Sequence, residues 1–269
     1  MRIISLTPAG TEILFALGAG PRVRAVTDHC DYPPEVADLD RVGPFGRPDA
    51  DRITALQPDL VVTGGKMHQG IETLLADAGI NTYSFFPTTV EQLLTAMEEL
   101  GELSGTGKTG RGIINSLRER VLRIREQATS PKNPTVLFLM GEPPLTTPGP
   151  ASCQYDALRL AGAGLVSFPK PDAFVRLAWE ELTAYDPEVI LACGRLADQP
   201  VKRKCPGCSS ANPPCRRKVE VLYEHERLAG LRAVQAKRIH PLSCFSLCRP
   251  GPRLVDGMEQ VRDILRPQG

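Results

Sequence analysis

The sequence predicts an α/β fold of two Rossmann-like lobes with parallel sheets, joined by one long helix. Three observations carry the prediction. Short apolar runs rich in β-branched residues alternate with helical patterns along the chain, the rhythm of parallel strands and crossover helices. The stretch Ile53–Gly65 aligns without gaps with Leu182–Gly194 at a constant offset of 129 residues. Finally, Arg111–Gln127 sets Ile113, Ile114, Leu117, Val121, Leu122 and Ile124 close to one helical face and stops at Ser130-Pro131-Lys132-Asn133-Pro134.

The elements follow in order. Arg2–Leu6 and Val23–Thr27 are strand candidates around a helix at Thr11–Leu17. A helix at Asp51–Leu56 leads through Pro58-Asp59 into a strand at Asp59–Thr63 and then a loop bearing Gly64 and Gly65. Gly70–Ala78 reads as a helix, Asn81–Phe85 as a strand and Val90–Leu103 as a helix. After the spacer helix come strands at Thr135–Met140, Glu188–Ala192 and Arg238–His240. Between and after them lie helices at Tyr155–Ala161, Glu180–Ala184 and Val255–Leu265. The expected division is an N-lobe over 1–105, a spacer over 106–133 and a C-lobe over 134–269 with a Cys-rich insertion at 195–218. In both copies of the repeat the loop falls at the carboxyl end of a strand, where α/β sheets bind ligands. Gly64 of the first copy stands opposite Cys193 of the second.

Composition narrows the function classes. The 269 residues carry 32 Lys and Arg against 31 Asp and Glu, a net charge of +1, so no global field draws the chain to nucleic acid or an anionic membrane. No apolar run is long enough to span a bilayer. The 24 glycines and 25 prolines exceed average usage and make turns plentiful. The apolar run Ile3-Ile4-Ser5-Leu6 is too short for the core of a signal peptide. A cytoplasmic protein is therefore expected, or a periplasmic or cell-surface one if the sequence is trimmed. No paired carboxylates, Gly-x-Ser-x-Gly or nucleophile–base spacing stands out, so the reading leans away from an enzyme. Gly105-Thr-Gly-Lys-Thr-Gly110 matches a dinucleotide fingerprint in letters, but it follows a helix rather than a strand. His68 and His225 stand alone and read as solvated or structural.

Four stretches together resemble the class III substrate-binding proteins, the cobalamin and ferric-siderophore binders of ABC importers. They are Arg2–Gly18, Val26-Thr-Asp-His-Cys-Asp-Tyr-Pro-Pro-Glu35, Ile53–Gly65 and Arg249-Pro-Gly-Pro-Arg-Leu-Val-Asp-Gly257. The second is more typical of the cobalamin-binding branch. The resemblance implies two α/β lobes on one rigid helix, with a ligand cleft between them. It places the His29, Cys30 and Tyr32 loop, Gly64, Gly65 and Arg249 at that cleft as cofactor-binding candidates. A thiolate or imidazole at Cys30 or His29 could then ligate the cobalt or iron of a flat macrocycle, against the plainer reading of a buried Cys and a loop-capping His. The resemblance also matches Asp51 and Glu180 to acids that dock on transporter arginines. The plainer reading of each is an acid at the start of a helix, where the dipole favours it.

Six of the eight cysteines lie between residues 193 and 248: Cys193, Cys205, Cys208, Cys215, Cys244 and Cys248. Cys205-Pro-Gly-Cys208 can turn two sulfurs toward one metal, and Lys202, Arg203, Lys204, Arg216, Arg217 and Lys218 bracket the central three. These basic residues carry no interleaved aromatics of the kind that stack on bases. Disulfides, structural zinc and an iron–sulfur cluster all fit the residue types. The cluster, of 4Fe-4S type, is preferred because the resemblance brings the thiols to a ligand cleft. The leading expectation is a cytosolic corrinoid-binding protein with a Cys-ligated metal site and a possible redox partner. The alternatives are an iron–sulfur or metal carrier (metallochaperone), and an ABC importer component for cobalamin or a ferric siderophore.

Overall fold

The computed structural model describes residues 1–128, 133–141, 144–199 and 216–266. Contacts divide the chain into two units, Met1–Pro87 with Glu91–Arg118, and Thr88–Val90 with Glu119–Gly269.

The first unit begins with β1 (Ile3–Ser5), α1 (Pro8–Ala16), β2 (Val23–Val26) and β3 (Asp40–Arg41). It continues with α2 (Ala50–Ala55), β4 (Leu60–Thr63), α3 (Gln69–Asp77), β5 (Thr82–Ser84) and α4 (Val90–Leu103). Its five strands are all parallel in the order β3-β2-β1-β4-β5. The strand order reverses between β1 and β4, the switch point at which such sheets open a crevice beyond their carboxyl ends. Strands β1 and β4 are buried on both faces, as continuous apolar runs in parallel sheets require. Ile4, Leu6, Ala25, Ile53, Val61 and Leu75 form the core of one sheet face.

Helix α5 (Gly107–Gln127) runs through the division, which falls after Arg118. It starts a turn earlier than the apolar periodicity predicts. The reason lies in the glycines of Gly105–Gly110: Gly105 turns the chain at φ 68°, and a Cβ on Gly110 would meet Leu17 at 2.5 Å. The stretch that mimics a nucleotide loop is a close-packed joint between α4 and α5. In the second unit Arg120 of α5 binds Asp256 at 2.6 Å and Glu259 at 2.6 and 3.0 Å. Its guanidinium holds the Glu259 carboxyl below its ordinary range.

The second unit adds β6 (Val136–Leu139), β7 (Thr146–Pro148), α6 (Cys153–Leu160), β8 (Phe174–Arg176), α7 (Trp179–Tyr185) and β9 (Val189–Cys193). It ends with α8 (Arg232–Gln235), β10 (Ile239–Leu242), α9 (Cys244–Leu247) and α10 (Arg253–Leu265). Strands β10-β9-β6 form a parallel sheet, and β7-β8 an antiparallel pair. Leu137, Leu139, Leu182, Ile190, Ala192 and Leu222 lie in its core.

The 129-residue echo is structural. α2 and β4 recur as α7 and β9 at that offset, and even the strained corner repeats. Gln57 and Asp186, equivalent in the repeat, both take positive φ, 46° and 42°. The sequence reading did not include β3, β7, β8, α8 or α9. Each has two to four residues, too short for a periodicity to show.

Candidate functional site

In the first unit the predicted site residues gather on the loops at the carboxyl ends of the sheet. Thr7 caps α1, its hydroxyl accepting from Gly10 N at 2.9 Å, with Pro8 in the first turn. That cap fixes the loop after β1. His29 follows β2, and its Nδ1 accepts from Phe45 N at 3.0 Å. A neutral imidazole accepting at Nδ1 carries its proton on Nε2. His29 so arranged offers a donor at Nε2 and ties its loop to Phe45, the arrangement of a loop-capping histidine.

His68 makes the matching tie from β4. It is 1% exposed, its Nδ1 accepts from Gly64 N at 2.8 Å, and its Nε2 lies 2.6 Å from the Phe45 carbonyl. The ring of Phe45 lies 5.1 Å from His68 edge-on and 6.0 Å from His29. One aromatic ring thus pins the loops after β2, β3 and β4. Sequence spacing marks His68 as a lone residue; one of its two backbone partners, Gly64, is four positions away and the other, Phe45, is 23 positions away, which no spacing rule discloses.

Gly64 and Gly65 serve this loop by their lack of a side chain. Gly65 takes φ 59°, and a Cβ there would meet Phe86 Cβ at 2.9 Å. Phe86 rests against that glycine, 58% exposed, with Met67 57% and Tyr32 41% exposed on neighbouring loops. The carboxyl edge of this sheet therefore presents large apolar side chains to solvent, backed by a hydrogen-bonded frame.

Cys30 is placed otherwise than a ligand requires. It is 1% exposed, with the hydroxyls of Thr11 and Thr27 at 3.2 and 3.4 Å from its sulfur. Burial pushes its thiol pKa up, so the group stays neutral, and a neutral thiol is neither nucleophile nor ligand. Iodoacetamide should label Cys30 only in denaturant; rapid labelling of the native protein would contradict this placement. Cys153, also buried, has its thiol pushed up by desolvation and by Asp156.

In the second unit Cys193 ends β9, and Arg195 pairs with Lys218 in a parallel bridge. The two ends of the Cys-rich segment thus meet at the carboxyl end of β9. The Arg217 guanidinium donates to the Cys193 carbonyl at 3.4 Å. Cys248 follows α9, and its sulfur lies 3.9 Å from that of Cys193. Arg249 is 8% exposed and stacks its guanidinium 5.0 Å from the centre of the Phe245 ring, which Arg253 approaches at 5.8 Å. Cys205, Cys208 and Cys215 lie outside the described residues. Among the described residues no group of three or more His, Cys, Asp or Glu side chains is placed to hold a metal. The expected zinc or iron–sulfur site therefore finds no support here. Asp51 and Glu180 are exposed in the first turns of α2 and α7. Among the described residues no helix is long and apolar enough to cross a membrane.

A family model described as "Periplasmic binding protein" matches residues 3–242. The vitamin B12-binding protein of Photorhabdus laumondii is 30% identical over 198 residues, 72% of this chain and 71% of that one. That of Vibrio cholerae is 26% identical over 266 residues, 98% of this chain and 89% of that one. The crystal structure of the periplasmic vitamin B12 binding protein of Vibrio cholerae superposes with a TM-score of 0.80 at 25% identity, covering 98% of this chain and 96% of that one. The expected cytoplasmic setting gains nothing from this match to a periplasmic protein.

Proposed function

The chain belongs to the periplasmic binding protein family, and on that premise we propose that it is the ligand-capturing component of an ABC importer whose cargo is a cobalt corrinoid. The observation that carries the reading is the match to a vitamin B12-binding protein along 98% of this chain. The chemistry of the edges supports it. A corrinoid offers a broad apolar face and a rim of amides. Phe86, Met67 and Tyr32 supply exposed apolar surface on one unit.

Recognition in this reading is by surface and hydrogen bond, not by a protein side chain on cobalt. His29 presents a donor and Cys30 is a buried thiol. The protein would work on the outer side of the cytoplasmic membrane, and Asp51 and Glu180 would be its contacts to the transporter. A protein-held cluster is no part of the reading.

Calorimetric titration of the full chain with cyanocobalamin and with hydroxocobalamin tests it. Both should bind one to one with similar affinity, and the visible bands of hydroxocobalamin should not take the form of an imidazole or thiolate complex. Haem serves as a flat macrocycle of different rim. Absence of heat with either corrinoid, or tight binding of haem alone, would overturn the proposal.

A further inference from the structure

We propose that Cys193 and Cys248 are a redox pair that closes to a disulfide, locking the turn that carries Arg249 onto the end of β9. The sulfurs lie 3.9 Å apart although the residues are 55 positions apart in sequence. A disulfide needs about 2 Å between sulfurs, so closure requires an approach of about 2 Å, within the reach of a χ1 adjustment and a small shift of the turn. Cys193 is fixed by the ladder, since Leu242 of β10 pairs with it in register, and by Arg217 on its carbonyl. Cys248 is fixed by Gln154, which is 5% exposed and whose Nε2 donates to its carbonyl at 3.0 Å. Both cysteines thus sit on hydrogen-bonded backbone with their sulfurs close together. Cys30 and Cys153 differ: the first has hydroxyls around its sulfur, and the second is a buried free thiol.

The step balances with a small-molecule disulfide as oxidant. One thiolate attacks a sulfur of the oxidant and releases the first reduced thiol. The second thiolate then attacks the mixed disulfide and releases the other. Two protons leave the protein thiols, two electrons pass to the oxidant, and one sulfur–sulfur bond forms in the protein.

The consequence is local. Cys248 immediately precedes Arg249, whose guanidinium stacks on Phe245. Closure ties this stack to the sheet edge through a covalent bond. The inference rests on sulfur geometry and stands whether or not the ligand is a corrinoid.

The test uses the full chain, reduced and then treated with oxidised glutathione. Remaining thiols are alkylated and the peptides mapped by mass. The expected product is a peptide pair joined at Cys193 and Cys248, formed equally in a variant with Cys205→Ser, Cys208→Ser and Cys215→Ser. Oxidation should also raise Tm by several degrees, as a cross-link across a loop of this length does. Cys248→Ala should abolish both the pair and the shift, and Cys193→Ala should do the same if the first variant does not fold. Recovery of Cys193 and Cys248 alkylated after oxidation, or joined to other cysteines instead, would overturn the proposal. So would a reduced protein isolated with zinc or iron that is lost in Cys193→Ala.

Discussion

His68→Leu should destabilise the first unit by about 2.5–7.5 kcal/mol and weaken corrinoid binding at the same time. The imidazole is 1% exposed and satisfies two backbone groups, the Gly64 N–H and the Phe45 carbonyl. Leucine has similar bulk and no polar atom. It leaves the buried Gly64 N–H and the half-buried Phe45 carbonyl unpaired, at about 1–3 kcal/mol each. The edge contact of the imidazole with Phe45 goes as well, which adds roughly 0.5–1.5 kcal/mol. Urea unfolding monitored by circular dichroism reads the first effect as a lower midpoint with an unchanged slope. Calorimetry reads the second, because Phe45 and Gly64 frame the loops on which Phe86 and Tyr32 sit. His68→Gln, which can still accept and donate, should recover part of the stability. A loss under about 1 kcal/mol in His68→Leu would mean that the loops are not held as described.

The same residue shows where a sequence stops being informative. The alternation of strands and helices, the echo at 129 residues and the long helix Gly107–Gln127 are all legible, because each is written in local periodicity or in self-similarity. The echo carries further than a pattern match, since Gln57 and Asp186 repeat even the positive φ of the corner. Helix starts were displaced where a cap precedes the apolar stripe. α1 begins at Pro8 behind the Thr7 cap, and α6 at Cys153 behind Ser152, whose hydroxyl accepts from Tyr155 N at 3.2 Å.

The site was legible only as a set of loops. His29, Cys30, Gly64 and Gly65 do lie at the carboxyl edge of one sheet, yet residue type alone left two readings open for His29 and Cys30. A cysteine or histidine near a ligand loop reads as a metal ligand. Burial and hydrogen-bond partners decide otherwise, and those come from residues far away in sequence. Phe86 escaped notice for the opposite reason, since one exposed phenylalanine carries no pattern until Gly65 is seen beneath it.

Removing Phe86 separates recognition from folding. Phe86→Ala should lower corrinoid affinity on the order of tenfold, and Phe86→Ala with Tyr32→Ala on the order of a hundredfold. Phe86 and Tyr32 are 58% and 41% exposed, so roughly half of each ring is open to be covered by a ligand. Fully burying such a side chain stabilises by about 1.5–3 kcal/mol, and half of that is near the 1.4 kcal/mol that corresponds to a factor of ten. The two residues sit on loops after β2 and β5. These strands are separated by β1 and β4 in the sheet, about 14 Å across at ordinary strand spacing, a span suited to a macrocycle with its side amides and too wide for one small ring. Because both rings are exposed, the double variant should lose less than about 1 kcal/mol of stability. Calorimetric titration against cyanocobalamin, alongside urea unfolding of the same samples, measures both quantities. A double variant that binds within about twofold of the parent would place the ligand elsewhere than on this edge. One that loses binding and stability together would show that the aromatic residues hold the fold rather than the cargo.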